Sequence, residues 1–170
     1  MRRPRPEPVQ IIKQRRDGAL RRLVEGIPYA RFLGISFERR GDELTAIMAY
    51  DEKLIGNPML PALHGGATAA FLEVTAIVGL AWAGMWEEME SGRLSLDDIE
   101  AGNLPPLPKT IDITVDYLRS GLPRDAYARP RVNRQGRRYA SVHVEAWQDN
   151  RERPFAQATG HFLVPRARAR

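Results

Sequence analysis

The apolar positions predict one helix buried in the middle of the chain. From His64 to Gly84 the sequence HGGATAAFLEVTAIVGLAWAG is apolar around the whole helical circumference, which is typical of a helix enclosed by other elements. Glu73 lies in its middle, Ala and Gly are frequent, and both flanks are charged. For these reasons we do not expect a membrane span, although the length would suffice. The segment is predicted to be the core helix of the protein.

The segments before this helix have first helical and then strand periodicity. Val9 to Gly26 has an irregular apolar stripe among Lys and Arg residues, which predicts an amphipathic helix. Phe32 to Arg39 and Glu43 to Tyr50 follow with strand-like patterns joined by a turn. Residues 55–61 contain Gly, Asn and two Pro and predict a loop.

After the core helix the pattern predicts one more helix and then strands. Trp86 to Glu100 is predicted as an acidic helix, and the proline-rich stretch 103–108 as an irregular connector. Four strands are expected next: Thr110 to Leu118, Ala126 to Asn133, Arg138 to Gln148 and Phe155 to Val164. Pro130 interrupts the second strand, which predicts an edge position or a bulge. The first strand alternates regularly, and its apolar side is expected to carry Ile111, Ile113, Val115 and Tyr117.

This order of elements predicts an α+β fold. A helix that is apolar on every side must be covered by a sheet or by a partner subunit. One antiparallel sheet wrapped around one long central helix meets that need, and this is the arrangement of the hotdog fold. An N-terminal helix and a helical insertion would be added to it.

Composition narrows the chemistry. The chain of 170 residues fits one domain, and it has no Cys, which excludes disulfides and thiolate chemistry. The three histidines, His64, His143 and His161, have no metal-ligand spacing, so no metal site is expected. The N-terminus lacks the apolar run of a signal peptide, and a cytoplasmic protein is expected.

The net charge of +5 suggests a polyanionic partner. Much of the positive charge lies near the two ends of the chain, where charged tails are usually solvated. We therefore expect a small polyanion as the partner, with neither nucleic acid nor membrane.

Glu73 and the turn before the core helix are the candidate chemical groups. A carboxylate in an apolar helix carries a desolvation cost, so it is rarely kept without a purpose. It either performs chemistry, or it faces a solvated groove or pairs with an arginine for structural reasons, and these interpretations stay open. His64, Gly65 and Gly66 begin the helix, where backbone N–H groups are open to an oxyanion or a polarised carbonyl. A tight turn into a closely packed helix is the structural alternative.

Gly65 and Glu73 are eight residues apart, or about 12 Å along a helix axis. One carbonyl group cannot contact both within a single subunit. If two helices pack antiparallel across a dimer, Gly65 of one chain can face Glu73 of the other. We therefore expect a homodimer, or a dimer of dimers, with shared sites.

The segment LHGGATAAFLEVTA resembles the signature of hotdog thioesterases of the phenylacetate-degradation (PaaI-like) type. ITVDYLRSGLPRDAYARPRVNRQGRRYASVHVEAW and FAQATGHFLV resemble the later strands of the same family. The resemblance implies hydrolysis of an acyl-CoA thioester, with coenzyme A as part of the substrate and no further cofactor. It implies that Gly65 donates the oxyanion N–H and that Glu73 is nucleophile or general base. It covers residues 28–165, with an N-terminal extension at 1–27, an insertion at about 85–109 and a basic tail at 166–170.

The resemblance also implies a substrate-binding set. His64 and Gly66 belong to the turn, where His64 is interpreted as a structural or supporting residue. The nucleotide of coenzyme A is expected near Arg119, Arg134, Arg137 and Arg138, for which a solvated turn is the alternative.

Two positions depart from the family pattern. Pro58 occupies the place of a frequent Asn or Gln six residues before His64, and Asn57, one place earlier, is the candidate to replace it. Ile77 occupies the place of a hydroxyl residue used by one branch of the family.

The departure at Pro58 keeps a second function open, a non-catalytic acyl-CoA-binding or sensor protein. A hydratase would need a His paired with a carboxylate, and no second candidate accompanies His64. The identity of the acyl group and the role of the insertion are not assigned from the sequence.

Overall fold

The computed structural model describes residues 8–165, so most of the basic N-terminal extension before α1 and the tail at 166–170 lie outside the described residues. Four helices and eight strands follow one another, with a 3₁₀ turn at Glu52–Leu54. They are α1 (Val9–Glu25), α2 (Pro28–Phe32), β1 (Ile35–Arg40), β2 (Glu43–Met48), β3 (Ile55–Asn57), β4 (Ala62–Leu63), α3 (Gly65–Glu90), α4 (Leu96–Glu100), β5 (Lys109–Tyr117), β6 (Ala126–Gln135), β7 (Tyr139–Trp147) and β8 (Ala156–Leu163).

Six strands form one antiparallel sheet in the order β1-β2-β6-β7-β8-β5, and β3 and β4 form a separate two-stranded ladder. The long helix α3 packs on one face of the large sheet, against β6, β7 and β8. The α+β hotdog arrangement is confirmed. The long apolar helix α3 is the one that the sheet covers, as the sequence predicts.

Small side chains on the inner face let α3 lie close to the sheet. The inner-face alanines are Ala46, Ala126, Ala128, Ala140, Ala146, Ala156 and Ala158, each at most 3% exposed. At Gly79 the approach is so close that a Cβ atom would lie 2.5 Å from Cγ of Pro130. Because α3 and the sheet are closely packed at Gly79, a larger side chain at this position would require the helix or the strand to move.

The helix α3 is long and apolar enough to cross a membrane, but 67% of its most apolar window is buried within this chain. Phe71, Leu72 and Val78 are almost completely buried on its sheet-facing side. The helix therefore serves as the core of the sheet–helix layer.

The predicted acidic helix from Trp86 to Glu100 is wrong. Its first half continues α3, which ends at Glu90, and Gly92 has a φ of +72°, a backbone conformation that ends helices. Only Leu96–Glu100 forms the separate helix α4, where Ser95 and Asp98 make a capping box. The predicted insertion thus begins within the last turns of α3 and continues through a turn, the short helix α4 and the irregular proline-rich stretch 103–108.

The first strand begins at Ile35 rather than at Phe32. Pro28 occupies the first turn of α2, where its fixed φ favours a helix, and Gly34 with φ of +69° then turns the chain into β1. The interpretation of Pro130 is correct in part. β6 is an inner strand, but its pairing with β2 ends at Ala128, and a bulge follows between Val132 and Arg134.

Candidate active site

Glu73 lies in the third turn of α3, half-buried, beside the edge strand β5. The Thr110 hydroxyl donates a hydrogen bond of 2.6 Å to its Oε1. Oε2 has no hydrogen-bond partner among residues 8–165. One carboxylate oxygen is therefore fixed by the sheet, and the other is open to a water or a substrate.

A β-bulge in β5 brings Thr110 to this position. The pairing register with β8 shifts between Thr110 and Asp112, so Ile111 is displaced outward and is 52% exposed. The prediction that Ile111 shares the apolar side of the strand with Ile113 is therefore wrong. Side chains alternate between the two faces of a strand, so one extra residue moves the side chains before it to the opposite face. The extra residue Ile111 therefore turns the Thr110 side chain toward α3.

The first turn of α3 is held by His64 and Tyr117. His64 is the N-cap, and its Nδ1 accepts a hydrogen bond of 2.9 Å from the Gly66 N–H, a role that needs Nδ1 unprotonated. The Tyr117 hydroxyl donates to the Gly65 carbonyl over 2.8 Å. The Gly66 N–H is thus occupied by the cap, whereas the Gly65 N–H lies in the first turn, where it has no intrahelical acceptor.

The strand β5 contacts both parts of the predicted site, but at opposite ends. Thr110 near its start contacts Glu73, and Tyr117 at its end contacts Gly65. Seven residues of extended strand span about 23 Å. The structure therefore does not bring Gly65 and Glu73 of one chain together.

Asn57 lies at the Gly65 end of the site. It ends β3, which pairs with the strand just before the first turn of α3. Its Oδ1 accepts a hydrogen bond of 3.0 Å from the Met59 N–H, so the side chain stabilises the turn that contains Pro58.

Three of the four predicted arginines share a surface. Arg134, Arg137 and Arg138 line a concavity of about 440 Å³ at the hairpin between β6 and β7, together with Tyr139, Ser141 and His161. His161 Nδ1 lies 2.8 Å from Asp112 Oδ1 at its side. The registers Tyr139↔Leu163 and Lys109↔Leu163 place this hairpin at the same end of the sheet as Thr110.

Arg119 is separate from this group. It follows the other end of β5, and its Nη1 donates a hydrogen bond of 2.7 Å to the Pro154 carbonyl. The structure thus divides the four arginines between the two ends of β5.

Thr110 and Tyr117 were not among the sequence-predicted site residues. Tyr117 could have been considered, because the hydroxyl of a tyrosine on the apolar side of a strand often has a hydrogen-bond partner. Thr110 could not, because its facing depends on the bulge. Within residues 8–165 no group of three or more His, Cys, Asp or Glu residues could hold a metal ion.

Comparison with known proteins identifies the family. Residues 60–155 match the family model described as thioesterase superfamily. The chain is 30% identical to the medium/long-chain acyl-CoA thioesterase YigI of Escherichia coli K12 over 144 residues, which cover 84% of this chain and 88% of the relative. The corresponding protein of Salmonella typhimurium is 29% identical over the same length.

Solved structures agree with this assignment. A crystal structure of a Chromobacterium violaceum protein has a TM-score of 0.61 at 30% identity, covering 92% of this chain and 96% of that one. The Escherichia coli PaaI protein from the phenylacetic acid degradation operon has a TM-score of 0.65 at 14% identity, covering 88% and 93%, and shows likeness of fold alone. The chain belongs to the thioesterase superfamily, and it is a thioester hydrolase with a hotdog fold of the PaaI-like type.

Proposed function

We propose that the protein hydrolyses acyl-CoA thioesters, with medium or long acyl chains as the substrate class. The observation that carries this proposal is the Glu73 carboxylate, held on an apolar helix by Thr110 with one oxygen open. The names of the YigI relatives support the choice of substrate, since they describe medium/long-chain acyl-CoA thioesterases.

In this mechanism the Gly65 N–H donates a hydrogen bond to the thioester carbonyl and stabilises the negative charge that develops on its oxygen. Glu73 then acts in one of two ways. As general base it takes a proton from a water that attacks the carbonyl carbon. As nucleophile it attacks that carbon to form an anhydride, which water opens. In both routes the carbon–sulfur bond breaks, coenzyme A leaves as thiolate and the acyl group becomes a carboxylic acid.

The site is formed between two subunits in this proposal. Gly65 and Asn57 come from one chain and Glu73 from the other, because β5 holds the two parts at its opposite ends. The outer edge of β5 has no strand partner within residues 8–165, and Ile111, Tyr117 and Leu118 are exposed there. A homodimer, or a dimer of dimers, would cover these apolar side chains.

The acyl chain runs along α3 from Glu73 toward the insertion. Ile77, Ala81 and Gly84 follow Glu73 on the same helix face, at intervals of three or four residues. A small cavity of about 90 Å³ ends this path, between Leu80, Ala81, Gly84 and Met85 on one side and Pro105, Pro106 and Pro108 on the other. The proline-rich part of the insertion thus covers the far end of the acyl site.

The hairpin arginines are proposed to bind the phosphates of coenzyme A. Arg134, Arg137 and Arg138 surround one concavity near the Glu73 end of the sheet, and guanidinium groups match phosphate oxygens in geometry. Arg119 lies at the Gly65 end and would contact the substrate from the other subunit's side. No partner nucleic acid or membrane is proposed, and a cytoplasmic location is expected.

A non-catalytic acyl-CoA-binding protein is the second candidate. Its support is the turn at Pro58, where the Asn57 side-chain oxygen is already engaged with the Met59 N–H. An enzyme that relies on Asn57 to orient water would have to use its amide NH₂ instead.

The test is the Glu73→Gln variant, measured against a panel of acyl-CoA esters from hexanoyl to palmitoyl with a thiol reagent. The change keeps the shape of the side chain and removes its charge. We expect kcat/KM to fall at least about 100-fold while the thermal unfolding temperature stays near that of the wild type. A wild type that binds acyl-CoA without turnover would favour the binding protein, and a Gln variant with full activity would place the site elsewhere.

A further inference from the structure

Another cavity lies where the sheet opens between β2 and β6. These strands pair only over Ala46–Met48 and Ala126–Ala128, and the next inward residue of β6 is Pro130, which has no N–H to continue the ladder. The strands separate beyond this point. The resulting cavity measures about 590 Å³, within the range of about 300–1,000 Å³ that is usual for small-molecule sites.

The inner part of this cavity is apolar. Trp82 and Gly79 of α3 line it together with Leu44 of β2 and Val132 of β6. Trp82 and Leu44 are each 6% exposed. Trp86 continues the wall, with its ring centroid 6.4 Å from that of Trp82. An alkyl or aromatic group entering here would exchange water for aromatic and aliphatic contacts.

The rim of the cavity is rich in arginine. Three of its guanidinium groups are already paired: Arg16 with Asp42 at 3.7 Å, Arg39 with Asp17 at 2.9 Å, and Arg129 with Glu43 at 2.9 Å. These pairs brace the rim and leave little charge for a ligand.

Two further rim arginines have no ion-pair partner among the described residues. Arg131 and Arg151 have no carboxylate within 4.0 Å among residues 8–165, although Arg151 stacks 5.6 Å from the Trp147 ring. On the acidic side, Glu145 lies 3.8 Å from His143, and Glu87 is the remaining carboxylate. The two unpaired arginines therefore stand beside two carboxylates that have no arginine partner among residues 8–165, and a carboxylate ligand would be selected by direct hydrogen bonds to the guanidinium groups rather than by net charge.

This cavity is distinct from the proposed hydrolytic site. Glu73 faces β5, whereas Gly79 contacts Pro130 of β6 and lies about 240° further around the helix. A ligand in the cavity would therefore lie on the other side of α3 from Glu73.

We propose that the cavity between β2 and β6 binds a single-chain amphipathic carboxylate, with its alkyl tail against Trp82 and its head group at Arg131 and Arg151. Guanidinium groups bind carboxylates through charge-assisted, often paired hydrogen bonds. The apolar floor favours an alkyl tail, because the tail would displace water from the part of the cavity beside Trp82, Leu44 and Val132. The proposal does not depend on thioester hydrolysis.

The test is a titration of the wild-type protein with laurate, followed by tryptophan fluorescence. Two of the three tryptophans of the chain line the cavity, so binding should change the emission and saturate. Dodecanol, which lacks the charge, should bind about tenfold more weakly, as expected for the loss of a charge-assisted hydrogen bond. Hexanoate should also bind at least about tenfold more weakly, because six methylenes are missing.

Two variants locate the ligand. Arg131→Gln should weaken laurate binding about fivefold to tenfold, and Ala83→Leu should abolish it by filling the floor. Arg153→Gln is the matched control, since it changes an exposed arginine in the same loop as Arg151 that does not line the cavity. Thermal unfolding of each variant checks the fold, and if Ala83→Leu does not fold, the comparison of Arg131→Gln with Arg153→Gln decides.

Laurate affinity that is the same in the wild type, Arg131→Gln and Ala83→Leu would overturn the proposal, because the ligand would then lie on the Glu73 side of α3. Dodecylamine binding more tightly than laurate would overturn the assignment of an anion. Fluorescence that changes without saturation would show that no defined site exists.

Discussion

The hydrogen bond from Thr110 to Glu73 gives a sharp test of the active site, through the variant Thr110→Val. Valine has nearly the same shape as threonine and favours the same strand conformation, so β5 should keep its structure. The variant removes one hydroxyl, which donates to Glu73 Oε1 over 2.6 Å. Any change in rate should therefore come from the carboxylate.

The expected loss can be worked out from what holds the side chain. Fixing a Glu side chain in one rotamer costs up to about 1.5–2 kcal/mol, and a net hydrogen bond to a charged group contributes about 1.5–3 kcal/mol. Because Glu73 is half-buried, we take the lower end, about 1.5 kcal/mol, which is slightly more than tenfold in rate. We expect kcat/KM for a medium-chain acyl-CoA to fall about tenfold, mainly through kcat, in a thiol-release assay.

Two controls separate positioning from structure. Thr110→Ser restores the hydroxyl and should recover activity to within about threefold of the wild type. A small loss is expected because the χ1 angle of Ser is less restricted than that of the β-branched Thr. In a Glu73→Gln background, Thr110→Val should have little further effect, because residues that act through one another are not additive. Wild-type kcat/KM in Thr110→Val, or a loss that Ser does not restore, would refute the positioning role.

Four further predictions follow from the same geometry. Gly84→Leu should lower kcat/KM for palmitoyl-CoA about tenfold relative to hexanoyl-CoA, because excluding two methylenes from the acyl site costs about 0.8 kcal/mol each. Gly84→Ala should leave this ratio nearly unchanged, because no atom lies within 4 Å of the Cβ that it adds. Gly79→Ala should lower the melting temperature by about 3–10 °C, since its Cβ would lie 2.5 Å from Pro130, and an unchanged melting temperature would contradict the close packing. Replacing Arg134, Arg137 and Arg138 with Gln should raise KM for acyl-CoA about threefold to tenfold with kcat nearly unchanged, and an unaltered KM would assign them to a solvated turn. Light scattering at micromolar concentration should show a dimer or tetramer, and a stable, fully active monomer would exclude the shared site.

The core helix and most of the strand segments could be predicted from the sequence because they depend on local periodicity. α3 is apolar on all sides, and the inward residues of β7, Ala140, Val142, Val144 and Ala146, alternate with polar ones. These patterns need no knowledge of which strands become neighbours. The family signature rests on the same segment, which is why Glu73 and Gly65 could be named.

The sequence-based predictions were wrong where a single residue changed the local backbone or the strand pairing. A single extra residue at Ile111 reverses the facing of Thr110, and the alternation of the strand gives no sign of it. Gly92 lies inside a charged, helix-compatible stretch, and its left-handed backbone divides that stretch into α3 and α4. Pro130 correctly predicted a local disruption of β6. Which pairing it would interrupt could not be predicted, because the neighbour β2 is distant in the sequence.

The inner-face alanines have a consequence for how this protein could diverge. Because they bring α3 within van der Waals distance of the sheet, the layer between them has no room for a ligand, and the cavities lie along the flanks of the helix instead. The residues that maintain the fold and those that would select a substrate are therefore different sets. Changes in the insertion or at the rim of the opened sheet could alter ligand preference without disturbing the interior, whereas one added methyl at the interior is costly. In such a scaffold, stability and specificity can evolve almost independently of each other.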